Sequence, residues 1–131
     1  MTAALLSTYD LGHQPFGLAS PAAWLEAAGV RTSLNDLAVE PLDEAAVTGA
    51  GLIALYLPMH TATRMAAELL PRLRSLNPSA HICCYGLYAP VNQAYLQSLG
   101  ADSVLGGEFE EPLAHIARSL SAGSPAPDLP A

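Results

Sequence analysis

The residues best suited to chemistry fall in four short stretches. In "YDLGHQPFG" (9–17), His13 stands in a polar, glycine-punctuated loop. It is either a solvated or backbone-bonded loop histidine or a ligand contact. No second His or Cys stands at metal-ligand spacing, which argues against a closed protein zinc site and leaves open a lone axial ligand to a cofactor metal. In "PMHTATR" (58–64), His60, Thr61, Thr63 and Arg64 gather at one helix start. The threonines suit capping, and helix N-termini also attract anions. In "YGLYAPVN" (85–92), Gly86 at a strand end allows close backbone approach, and Tyr85 and Tyr88 offer flat surfaces. In "LGGEFEE" (105–111), Gly106 and Gly107 precede Glu108 and Glu110. Those two acids have no evident partner base, so they do not make an acid–base pair, and no complete catalytic site is legible.

Several routine readings fail. A phosphate-accepting receiver domain needs an Asp after strand 3 and a Lys after strand 5. Here strand 3 ends "YLPM", and the chain has no Lys. Neither a Walker loop nor a Gly-x-Gly-x-x-Gly turn is present. A formal charge of −7 argues against nucleic acid and against a polybasic membrane patch. No apolar run approaches the roughly 20 residues of a membrane span, and no signal peptide is apparent. Cys83 and Cys84 are adjacent, point to opposite faces of a strand, and read as reduced core residues of a cytoplasmic protein.

The elements that must position these residues alternate. Strands are expected at 3–9, 31–37, 51–59, 81–86 and 102–107. Helices are expected at 20–29 (Ser20 as cap, Pro21 at the first position, Gly29 as stop), 42–50, 60–76, 91–100 and 110–120. In the third helix Met65, Leu69, Leu73 and Leu76 form the apolar stripe, and Pro71 should kink or break it. Residues 121–131 are rich in Pro and Ala and read as a linker or tail after a domain spanning 1–120.

This alternation predicts an α/β, flavodoxin-like (Rossmann-like) doubly wound five-stranded parallel sheet. Its order is 2-1-3-4-5, with the weakly apolar strand 2 at an edge. The ligand crevice then lies at the carboxyl ends of strands 1 and 3. Residues 9–17, 58–63 and 86–89 converge there, and 106–110 closes one side.

Taken in order, "PFGLASPAAWLEAAGV", "VTGAGLIALYLPMHTATRMA", "LRSLNPSAHICCYGLYAPVN" and "LGADSVLGGEFEEPLAHIA" resemble the N-terminal cobalamin-binding-like domain of radical S-adenosylmethionine enzymes, over roughly residues 4–120. The resemblance implies a cobalamin-binding module whose catalytic domain lies outside this chain or in a partner chain. The iron–sulfur cluster and S-adenosylmethionine would belong to that missing domain. It implies that Gly12, His13, Gln14, Pro15 and Gly17 line the groove for the cofactor's nucleotide tail. Pro58, His60, Thr61 and Thr63 would meet the corrin side chains or the tail, with Thr61 and Thr63 as hydrogen-bond donors. Gly86, Tyr88, Gly106, Gly107 and Glu108 would complete the contact. Asp10, His13 and Gly17 depart by one residue at each spacing from the Asp-x-His-x-x-Gly motif of cobalt-ligating relatives, so no metal ligand is carried over. The alternative is a corrinoid-free domain that positions a radical enzyme.

Overall fold

The computed structural model describes residues 1–8 and 16–123. Its elements are β1 (Thr2–Ser7), α1 (Phe16–Ala27), β2 (Arg31–Asp36), α2 (Glu44–Gly49), β3 (Leu52–Tyr56), α3 (His60–Leu76), β4 (His81–Tyr85), α4 (Gln93–Ser98), β5 (Ser103–Leu105) and α5 (Glu110–Ser121). A short 3₁₀ turn, Pro90–Asn92, leads into α4. The strands form one parallel sheet in the order β2-β1-β3-β4-β5, as the weak apolar character of "RTSLND" predicts for an edge.

Strand alternation divides the core. Ala4, Leu6, Ile53, Leu55, Ile82 and Cys84 face α2, α3 and α4. Ala3, Leu5, Leu52, Ala54, Cys83 and Tyr85 face α1 and α5. The two cysteines therefore lie in opposite halves of the core, both as free thiols. Among the described residues no helix is long and apolar enough to cross a membrane.

Local chemistry moves several expected boundaries. Helix α1 begins at Phe16, so Pro21 lies inside it and Ser20 is not its cap. Ser20 instead donates to Glu110 Oε2 at 3.0 Å, joining α1 to α5. An interior proline has no N–H for the carbonyl four residues back, here that of Gly17. The buried Tyr85 hydroxyl supplies the missing donor, at 2.5 Å from the Gly17 oxygen. Gly29, at φ 85°, ends α1 as expected.

Helix α3 runs unbroken from His60 to Leu76 although it contains Pro71. Pro71 is exposed, so the disrupted turn faces water. The buried stripe is Ala62, Thr63, Ala66, Leu70 and Leu73, while the expected Met65 is exposed. Small alanines bring this helix close to the sheet, a packing that an apolar count weighted to large side chains misses. Neither threonine caps α3. The cap position is Met59, without a side-chain bond, and the Thr63 hydroxyl donates back to the Met59 carbonyl. Asn77 closes the helix and donates through Nδ2 to the Val47, Thr48 and Ala50 carbonyls, which binds the end of α2. The expected helix 91–100 divides into the 3₁₀ turn and α4, and Gly100 at φ 123° terminates it.

Candidate functional site

The chain leaves β1 toward β2 on one side and β3 on the other, so the topological switch point lies at the carboxyl ends of β1 and β3. Ser7 closes β1 and stands in register with Asp36 of β2 and Tyr56 of β3. All three belong to the sheet face that carries α1. The Ser7 hydroxyl is fully buried and has no hydrogen-bond partner among the described residues. Thr8, the next residue, is also buried and donates to the Ala62 carbonyl at 3.0 Å, tying the end of β1 to the first turn of α3.

Asp36 Oδ1 accepts the Ala38 N–H at 3.0 Å, and its other oxygen bonds no described residue. The Glu40 carboxylate accepts from the Asp36 N–H and from Asn35 Nδ2. That closes the outer edge of β2 at this point, where an unpaired strand would otherwise invite association.

On the α1/α5 face of the sheet, around the ends of β3 and β4, sits an aromatic cluster. The Tyr56 ring lies 5.4 Å from Tyr85 and 6.1 Å from Phe109, and Tyr85 lies 4.6 Å from Phe109. Burial pushes the Tyr85 hydroxyl well above its usual range, with Cys83, Tyr56 and Glu110 acting in the same direction. Tyr85 is a wall of the core and offers no surface to a ligand.

The residues expected to hold a cofactor divide into separate groups. Gly12, His13, Gln14 and Pro15 lie outside the described residues. Gly17 packs directly on the Tyr56 ring, and an added Cβ would overlap Cζ and Cε2 of that ring. Gly86 is buried at φ 122°, and a Cβ there would meet the Leu57 carbonyl oxygen at 2.8 Å. Both glycines therefore serve close packing within the chain. Pro58 is half-buried beside β3, and Thr61 is exposed while Thr63 is buried. His60 and Tyr88 do meet, ring centroids 4.4 Å apart. Gly106 is half-buried, and Gly107 faces open space. Glu108 lines a separate groove of about 550 Å³ with Trp24, Glu110 and His115. Among the described residues no group of three or more His, Cys, Asp or Glu could hold a metal ion.

Ser7, Thr8 and Asp36 were not singled out by sequence reasoning. Their signal was a polar residue ending each strand run, "AALLST" and "SLND", a position that an apolar pattern count discards.

No family model matches the chain, and no curated protein sequence matches it. A solved structure does: the TrkA-N domain of the inner membrane protein ybaL from Escherichia coli. The match has a TM-score of 0.50 and 24% identity, covering 92% of this chain and 94% of that one. The likeness shows the α/β Rossmann-like fold. It also overturns the resemblance to the cobalamin-binding-like domain of radical S-adenosylmethionine enzymes, because the neighbour over nearly the whole chain is a TrkA-N domain. The functions read from that resemblance, a cobalamin module or a positioning domain of a radical enzyme, fall with it. The physical reason is visible in the fragments that carried it. "FGL" is a helix start, "HTATR" another, and "GLYA" a turn after a strand. Any doubly wound sheet needs such pieces in that order.

Proposed function

We propose that this chain is a ligand-binding domain that takes a ribose-bearing small molecule, a nucleoside or nucleotide, at the carboxyl ends of β1 and β2. The observation that carries this reading is the pairing of Asp36 with the buried, unpartnered Ser7 hydroxyl beside the switch point. An acid closing the second strand, about 20 residues beyond the first strand–helix turn, is placed to accept hydrogen bonds from ribose hydroxyls. Gly17 supports the reading, since close packing of the first helix on the sheet is one task of a glycine in such domains. The chain lacks the Gly-x-Gly-x-x-Gly turn, so the reading rests on the ribose end of the ligand and not on a phosphate fingerprint. The charge of −7 favours a small ligand over a nucleic acid. We place the domain in the cytoplasm, in keeping with its two free thiols.

Isothermal titration with adenosine, AMP, ADP and NAD tests the proposal. Saturable binding of at least one is expected, and Asp36→Ala should weaken it about tenfold, the loss of ~1.4 kcal/mol. Absence of binding by all four at about 1 mM, where the free energy of association is only ~4 kcal/mol, refutes it.

A further inference from the structure

A second groove, of about 330 Å³, lies between α3 and the start of α4. One wall is α3, with His60, Thr63, Arg64, Ala67 and Glu68, and the other holds Asn92 and Tyr95. Its charges are ordered along the helix. His60 and Arg64 stand one turn apart at the amino end, and Ala67 and Glu68 follow one turn later.

Arg64 and Glu68 occupy i and i+4 positions, a spacing at which opposite charges can pair. They form no ion pair, and neither bonds another described residue. Two other arginines of the chain are engaged: Arg72 with Glu44, and Arg74 with Asp102. Having no N–H, Pro71 leaves the carbonyl of Ala67 without its regular helical donor. The groove thus presents a guanidinium and an imidazole at one end and a carboxylate at the other, where Ala67 also lines it. A tilted ring contact with Tyr88 positions the imidazole, and Tyr95, 56% exposed, provides a flat apolar wall.

We propose that this groove binds a small zwitterion, of which an amino acid is the simplest kind. Its carboxylate lies toward Arg64 and His60, and its ammonium group lies toward Glu68. The polarity agrees with the helix dipole, which favours the anionic group nearer the amino end. The site is separate from Asp36 and Ser7 and does not depend on the nucleotide reading.

Titration of the intact chain with glycine, L-alanine and γ-aminobutyrate, against acetate and ethylamine as single-charge controls, tests this. At least one zwitterion should bind saturably, and neither control should match it. Arg64→Gln and Glu68→Gln should each weaken that zwitterion about tenfold or more. Asp36→Ala should leave it unchanged. Arg64 and Glu68 are exposed, so both variants should fold, which circular dichroism checks. Acetate binding as well as the zwitterions, with Glu68→Gln silent, makes the groove an anion site and overturns the proposal. So does the absence of binding by all three zwitterions at about 10 mM.

Discussion

Replacing Tyr85 by Phe should destabilise the fold by removing one hydrogen bond while leaving the ring. Pro21 cannot donate to the Gly17 carbonyl, and the Tyr85 hydroxyl does so from β4 at 2.5 Å. Gly17, Pro21 and Tyr85 are all buried, so water is poorly placed to substitute. An unsatisfied buried carbonyl costs about 1–3 kcal/mol. For a domain of this size that is roughly 4 °C of melting temperature per kcal/mol. Urea denaturation of the wild type, Tyr85→Phe, Pro21→Ala and the double variant measures the effect as a cycle. Alanine at 21 restores an N–H for Gly17, so Tyr85→Phe should cost about 1 kcal/mol or more less in that background. Equal costs in both backgrounds, or a loss below about 0.5 kcal/mol in the wild type, would refute the assignment of this hydroxyl as the stand-in donor.

Gly86→Ala should lower stability by about 2–4 kcal/mol in the same assay, since strain at φ 122° adds to a backbone clash with the Leu57 carbonyl. Ser7→Ala should leave the ligand-free domain within about 1 kcal/mol of wild type, or stabilise it, because the hydroxyl has no partner to lose. The two thiols should stay inert to a disulfide reagent at pH 8 until the chain unfolds. Burial raises Cys83 to about 12 and pushes Cys84 higher still. His81 has its pKa lowered, chiefly by burial, with Asp102 opposing and Arg74 reinforcing the shift. The unfolded chain then binds more protons than the folded one as pH falls through the ordinary histidine value near 6.5. Melting temperature should therefore hold above that value and decline below it, with a shallower decline in His81→Gln.

The sheet was legible because it rests on local chemistry. "GLIALY" is apolar on both faces and falls at the centre, while "RTSLND" carries polar residues on both and falls at the edge. The ends of helices were less legible, because long-range partners decide them. "SPAAW" reads locally as a cap and a first-turn proline. A start at Phe16 becomes workable only when a tyrosine 68 residues away in sequence completes the Gly17 carbonyl. The same holds for the glycines at the sheet edge. In sequence, Gly17 and Gly86 look open to a ligand, and the fold fills each with a neighbour, the Tyr56 ring and the Leu57 carbonyl.

That difference bears on how a site is sought in such a chain. A glycine in a strand–helix turn records only that something comes close, and the chain itself is one candidate for that something. A buried hydroxyl without a partner is more discriminating, because packing within the chain would have left a carbon there at lower cost. Ser7 meets that test, and Gly17 and Gly86 do not. The groove along α3 is read in the same way: its weight lies in Arg64 and Glu68, which have a partner one turn away and do not use it.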